Sequence, residues 1–280
     1  MPEIGEIQAH AERLKADWVG KTLKSFRPIT FYVLKTFAPD PSTAHGTTLR
    51  SVTTRGKYLK LEFDSTTFLI HLMQGGRLRP DTKQTAKPRG GQARWTFDDG
   101  SALLLTEAGT DKRAGVWVFD DATDLDSIEP LSKLGPNADS LGRDELAALL
   151  SDNPMRIHGL LRRQGILAGL GRRLANDICH HAQVSPFANS SKLTTEQIDR
   201  VHLAIGASID SSLEFERSQS EIIASKNRPS AVHNKTGEPC PTCDDTIREV
   251  AYVKYSINYC ATCQTGGKVL ADNTTSKFLK

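Results

Sequence analysis

Four of the five cysteines fall within one short array near the end of the chain, Cys240-Pro-Thr-Cys243 and Cys260-Ala-Thr-Cys263, with sixteen residues between the pairs. Each C-x2-C can set two thiolates on one tight turn, and a spacer of this length can form a hairpin that brings the pairs together around a tetrahedral zinc. The competing readings, a redox pair or four unligated thiols, account less well for the doubled spacing. Because four thiolates close the coordination shell, the array predicts one structural Zn2+ and no chemistry at the metal. Cys179 stands apart and reads as a buried core thiol. Arg248, Lys254 and Lys268, with Tyr255 and Tyr259, make the hairpin basic and aromatic, which suits nucleic acid as well as it suits an ordinary solvated surface.

A zinc hairpin accounts for only the last part of a 280-residue chain, which is long enough for two domains or for one large domain with a small module. With 38% hydrophobic and 25% charged residues, the chain can build ordinary cores. No apolar run approaches the roughly 18 residues that a membrane span needs, and the start lacks a signal-peptide apolar region. A cytoplasmic protein with no membrane association is therefore expected. The formal net charge of +3 is too small to identify a partner, so the clustering of charge carries more information than its sum.

Ile4, Ile7, Ala11, Leu14 and Trp18 recur at helical spacing and Gly20 is a natural stop, which predicts one amphipathic helix. Strands follow at Tyr58–Phe63 and Thr67–Leu72 around an Asp64-Ser65 turn, at Arg94–Phe97 and Ala102–Leu105 around Asp98-Asp99-Gly100, and at Trp117–Phe119. The first 125 residues thus read as a β-sandwich or barrel carrying an N-terminal helix. Asp120 to Pro136 is acidic and turn-rich, a linker, and the pattern is helical from Leu141 onward, with Leu146, Leu149 and Leu150 on one face. Pro154 is expected to open a helix through Leu161, and Thr194 with Gln197 makes a capping box for a longer helix bearing Ile198, Val201, Ile205, Ile209 and Leu213. Ser218 to Glu238 is polar and irregular, the composition of a mobile loop. No internal repeat is visible.

Two stretches carry more specific chemistry. Between Arg156 and Asn176 there is no acidic residue, while Arg156, Arg162, Arg163, Arg172 and Arg173 all fall there. This one-signed run crosses the turn Gly165-Ile-Leu-Ala-Gly169-Leu-Gly171, whose glycines let backbone approach an anion ahead of a helix N-terminus. A tight interhelical turn with a solvated arginine face is the simpler alternative. The other stretch is the opening Met-Pro-Glu. Pro2 is small enough for Met1 to be trimmed, which would leave a secondary amine, a potential nucleophile; on these residues alone a proline that merely opens a helix is preferred.

Four separated pieces together resemble the formamidopyrimidine-DNA glycosylase and endonuclease VIII family: the opening Met-Pro-Glu-x-x-Glu-Ile, Arg55-Gly56-Lys57-Tyr58, the Gly169-Leu-Gly171 turn and the zinc hairpin ending Cys263-Gln264. Their order and spacing match over essentially the whole chain. His71-Leu-Met-Gln-Gly-Gly76-Arg-Leu is similar to that family's loop between sheet strands, and Leu134-Gly135-Pro136 to its interdomain segment. The resemblance implies a multidomain α and β protein. Its parts would be an N-terminal β-sandwich with an N-terminal helix (residues 1–125), a helical helix-two-turn-helix domain (126–222) and a C-terminal zinc finger (223–280). DNA would lie between the halves of a monomer that is nucleoid-associated when bound.

The implied activity is base excision repair of damaged DNA: a DNA glycosylase that also acts as an abasic-site lyase. Pro2 would be the nucleophile, Glu3 the proton donor, Lys57 a phosphate ligand beside the reacting sugar, and Glu6 an orienting group. His71, Gln74, Lys112, Arg113, Arg172, Lys254 and Tyr255 would contact DNA. The chain departs from the family pattern in several places. Gln74 stands where a methionine usually fills the gap left by a rotated base, with Met73 beside it, and Lys112 and Ala114 replace the usual arginine and phenylalanine. Arg172 replaces an asparagine, and Tyr255, beside Lys254, replaces the finger arginine. A noncatalytic binder of damaged DNA with the same fold is the alternative; an RNA-binding zinc ribbon would leave the first 60 residues unexplained.

Overall fold

The computed structural model describes residues 1–224, 227–253 and 255–270, and the chain divides into two compact units, Met1–Lys133 with Ser212–Ser225 and Leu134–Ser211 with Lys226–Lys280. The first unit begins with helix α1 (Ile4–Trp18), whose Ile7, Ala11, Leu14 and Trp18 are buried as the spacing predicts. Eight strands follow: β1 (Leu23–Pro28), β2 (Leu49–Arg55), β3 (Tyr58–Phe63), β4 (Thr66–His71), β5 (Gly76–Pro80), β6 (Gly91–Phe97), β7 (Ala102–Glu107) and β8 (Gly115–Asp120). They form two four-stranded antiparallel sheets, ordered β1-β6-β7-β5 and β2-β3-β4-β8. Side chains from both sheets meet in one core, where Phe68 of the second sheet packs on Phe26 and Trp95 of the first with ring centroids 5.0 and 5.8 Å apart. Each such fully buried side chain is worth about 1.5–3 kcal/mol of transfer free energy. Helix α1 packs against β2 and closes one side of the sandwich, with Trp18 5.0 Å from Phe97.

In the second unit, α2 (Arg143–Asp152), α3 (Ile157–Leu161), α4 (Arg172–His181) and α5 (Thr195–Arg217) precede a two-stranded hairpin, β9 (Ile247–Tyr252) and β10 (Tyr255–Cys260), and a short α6 (Ala261–Thr265). The predicted capping box starts α5: Gln197 Oε1 accepts from Thr194 N–H at 3.0 Å, and Thr194 Oγ1 from Gln197 N–H at 3.3 Å. From Ser212 on, the last turns of α5 belong to the first unit. No helix among the described residues is long and apolar enough to cross a membrane.

The structure corrects two of the expectations. Helix α3 starts at Ile157 rather than at Pro154, because Met155 and Arg156 are engaged sideways: Met155 N–H donates to Ser190 Oγ, Met155 O accepts from Ser190 N–H, and Arg156 bridges to Asn189. Ser218–Glu238, expected as a mobile loop, is pinned at both described ends. Ile222 lies in the sandwich core, and Arg77 donates to the carbonyls of Ile222 (3.1 Å) and Ile223 (3.2 Å). Val232 is fully buried, its N–H held by Asp177 at 3.0 Å.

Candidate functional site

In the first unit, α1 begins at a cluster of buried ionisable groups. Pro2 is buried, and Glu3, Glu6 and Lys57 expose only 5%, 0% and 4% of their surface. Burying three charge-bearing side chains beside one turn is expensive unless each is held, and such groups concentrate where chemistry is done. Glu6 is held at both oxygens. Its Oε2 accepts from the Glu3 N–H, closing the first turn of α1, and its Oε1 accepts from Ser212 Oγ at 3.1 Å. Glu6 thereby fixes the backbone that carries Glu3 and Pro2 against the end of α5. Lys57 sits in the two-residue turn between β2 and β3, where Arg55 pairs with Tyr58 and Gly56 takes φ 57°.

His71, at the end of β4, is opposite Tyr58 in the sheet with their rings edge-on at 4.6 Å. Its Nδ1 accepts from Met73 N–H at 3.0 Å, an arrangement that requires the neutral ring at that nitrogen. Burial, and then the charges of Lys57 and the chain's amino terminus, lower its pKa from 6.5 to about 4. His10 and His158 are lowered to about 3 and His233 to about 4, each mainly by burial. Above 6.5 these rings are neutral in the folded and unfolded states alike. As pH falls from there toward 4 the unfolded chain takes up protons that the folded chain does not, so stability falls. Urea midpoints at about pH 7.5 and about pH 5 should show that loss, and His71→Gln should remove part of the slope.

The loop between β4 and β5 carries Gln74, which is exposed. Gly76 closes this loop with its N–H on Leu72 O at 2.8 Å, and a Cβ there would lie 2.1 Å from that same oxygen, so only glycine fits. Between β7 and β8, Lys112 donates to Glu107 O, Arg113 is exposed and paired with Asp111, and the buried Glu107 carboxylate accepts from the N–H groups of Arg113 (2.7 Å) and Ala114 (2.8 Å). Here the sequence expectation fails. Ala114 is not at a loop tip where an aromatic wedge could stand; it is 0% exposed, within the sandwich core. Ala114→Phe should therefore overpack that core at a cost of about 1–3 kcal/mol, seen as a lower melting temperature, instead of restoring a wedge.

In the second unit the acid-free run forms α3, a turn and the start of α4. The side chain of Gln164, missed in the sequence, organises the turn: its Oε1 accepts from Gly169 N–H at 3.0 Å and its Nε2 donates to Arg162 O and Leu170 O. Gly169 takes φ 103°, closed to most side chains. Arg172, the first residue of α4, is exposed beside its Gly171 cap. Two other arginines of the run reach the hairpin. Arg162 lies 4.3 Å over the ring of Tyr255, which stacks on Tyr252 at 4.9 Å, and Arg156 donates to Tyr252 Oη at 2.8 Å. Lys254 lies outside the described residues. Asp177, the first acid after the run, is buried and holds Ser230, Val232 and His233; its position directly after twenty-one residues without an acid was the available signal.

The four hairpin cysteines converge, with their sulfurs all within 4.8 Å of one another and separations of 3.3, 3.4 and 3.8 Å among those in contact. A tetrahedron with metal–sulfur bonds of about 2.3 Å has edges of about 3.8 Å. Thr242 N–H points at Cys240 Sγ (3.4 Å) and Cys263 N–H at Cys260 Sγ (3.5 Å), donors that suit thiolates. His180 Nε2, on α4, lies 3.2 Å from Cys240 Sγ. The donor set and spacing fit one metal ion. Cys179 is buried and apart, its thiol pushed far up by burial, as a core residue should be.

With this geometry in view, residues 1–113 match the family model of the formamidopyrimidine-DNA glycosylase N-terminal domain. An uncharacterised formamidopyrimidine-DNA glycosylase-like protein of Mycobacterium tuberculosis is 40% identical over 149 residues, covering 52% of this chain and 94% of that protein. The formamidopyrimidine-DNA glycosylase of Chloroflexus aurantiacus is 27% identical over 274 residues, 94% of this chain and 98% of that protein. The crystal structure of the Lactococcus lactis enzyme bound non-covalently to DNA containing an abasic site shares the fold, with TM-score 0.83 at 20% identity over 94% of this chain and 99% of that one. The chain belongs to the formamidopyrimidine-DNA glycosylase family.

Proposed function

We propose that this protein is a DNA glycosylase with abasic-site lyase activity, acting on oxidised bases in base excision repair. The observation that carries the reading is the buried set at the start of α1: Pro2, Glu3 and Lys57, with Glu6 locking the turn beneath them. A noncatalytic binder has no need to bury that set. The relatives named as formamidopyrimidine-DNA glycosylases, and the related structure solved with abasic DNA, support the substrate class.

Removal of Met1 would free the Pro2 nitrogen as a secondary amine. Its lone pair attacks C1′ of the damaged nucleotide as the glycosidic bond breaks and the base departs with those electrons, taking up a proton. Once the nitrogen has given up its own proton, its lone pair opens the C1′–O4′ bond while Glu3 protonates the ring oxygen. The resulting iminium draws electrons from C2′; loss of the C2′ proton then expels the 3′ phosphate and nicks the strand. Lys57 holds a phosphate next to this sugar, and its charge beside the amine favours the neutral, nucleophilic form. Neutral His71 donates from Nε2, and exposed Arg172 and Arg113 bind phosphates. The cysteines hold one zinc, which fixes the hairpin carrying Tyr252 and Tyr255 for DNA contact. Gln74, the exposed group of its loop, enters the gap left by the rotated base and, burying less apolar surface there than a methionine, favours abasic, mismatched or single-stranded substrates over intact duplex lesions.

The test is incubation with a duplex bearing one abasic site. The reading expects a nick that leaves an unsaturated aldehyde at the new 3′ end and a phosphate at the new 5′ end. Tight binding with no nick would instead identify a noncatalytic clamp.

A further inference from the structure

The first unit exposes a group of aromatic side chains that the proposed chemistry does not use. Phe31 and Phe37 are 92% and 98% exposed, and Tyr32 between them is 45% exposed. Single exposed apolar residues are ordinary, but three aromatics within seven residues are not. Nor is the segment loose. Ile29 and Thr30 donate to Gln92 O at 2.7 and 3.2 Å, Val33 is fully buried in the sandwich core, Lys35 N–H donates to Val116 O at 2.8 Å, and Thr36 Oγ1 accepts from Val118 N–H at 2.9 Å. The backbone is clamped to both sheets while the rings are held out in solvent.

The segment and the stretch paired beside it carry charges of one sign. There is no Asp or Glu from Lys21 to Pro39, and none from Thr82 to Phe97. The β1–β6 pairing joins these two stretches side by side, from Leu23 opposite Phe97 to Pro28 opposite Ala93, and Arg27 reaches across to Ala86 O at 3.0 Å. Arg27, Lys35, Lys87 and Arg89 are all exposed. A protein partner is met by apolar faces with depleted charge, whereas rigid aromatics beside clustered cations suit unpaired bases that stack while phosphates meet the cations.

We infer that the Phe31–Phe37 segment, with Arg27, Lys87 and Arg89, is a docking surface for single-stranded nucleic acid, separate from the residues proposed for the chemistry. It takes from the proposed function only the choice of nucleic acid as partner.

The experiment is fluorescence anisotropy with a labelled oligothymidylate of about 20 nucleotides and a duplex of the same length, using the full chain. Phe31→Ala with Phe37→Ala, both at exposed positions, should weaken single-strand binding at least about tenfold and duplex binding less than about threefold. Lys87→Glu with Arg89→Glu should weaken single-strand binding and flatten its salt dependence. Unchanged single-strand affinity in the Phe31/Phe37 variant, or equal losses on both DNAs, overturns the inference. If in addition the parent self-associates in sedimentation and that variant does not, the face is a protein contact. Failure of abasic-site nicking in the parent would count against the proposed chemistry and leave this result standing.

Discussion

Protein whose Pro2 nitrogen is acylated, by retained Met1 or by an added acetyl group, should lose abasic-strand cleavage by at least about a thousandfold while binding the same DNA within about threefold of the free-amine form. The lone pair of an amide nitrogen is delocalised into its carbonyl and cannot attack C1′, so the covalent route closes altogether. A thousandfold corresponds to about 4 kcal/mol of barrier, the scale on which nucleophile deletions act. Glu3, Glu6 and Lys57 remain in place in the acylated protein, so phosphate contacts and the first turn of α1 survive. Pro2→Gly is a poor substitute for this test, because glycine also presents an N-terminal amine. Single-turnover cleavage compared between acylated and trimmed preparations, each verified by intact mass, reads the effect; equal rates would exclude the amine mechanism.

The second large effect is expected at the metal. Cys240→Ala should abolish binding of the zinc proposed there and weaken DNA binding at least about tenfold, with the first unit still folded. Around the cysteines the core consists of Val232, Cys240, Ile247 and Cys260, so the cysteine end of the hairpin has few apolar side chains to order it without a metal. The Cys240 sulfur also meets His180 of α4, and Asp177 of the same helix holds Ser230 and Val232. Loss of the metal thus reaches the helix whose first residue is the exposed Arg172. Metal analysis beside anisotropy on duplex DNA checks this; a variant that keeps full zinc and full affinity would show that the four sulfurs do not form one site.

How much of this was legible in the sequence depended on whether the signal was local. Helices α1 and α5 and strand β3 follow their periodicities, and β4, β6, β7 and β8 lie where their apolar runs and turns put them although they are buried on both faces along most of their length. Strands β1 and β2 were not anticipated because each contains a register shift, between Leu23 and Ser25 and between Leu49 and Ser51, so buried residues fall three apart and the alternation that marks a strand is lost. Strand β5 is only Gly-Arg-Leu-Arg-Pro, bounded by the two residues that usually argue against a strand. The cysteine array declared itself by spacing. The stacking of Arg162 on Tyr255 did not, since it joins α3 to β10 across most of the second unit's sequence. Ala114 was misplaced for a related reason: a motif fixes its position along the chain, but only the Glu107 carboxylate, bonded to the N–H groups of Arg113 and Ala114, shows that the chain has already turned into the core there.

The measurement that bears most directly on the proposed chemistry is borohydride reduction of the protein mixed with abasic DNA, followed by mass mapping of the adduct. The mechanism predicts a covalent protein–DNA adduct, formed only when reductant is present, on an N-terminal peptide that begins at Pro2. An adduct on any other peptide, or efficient nicking with no adduct at all, would contradict it.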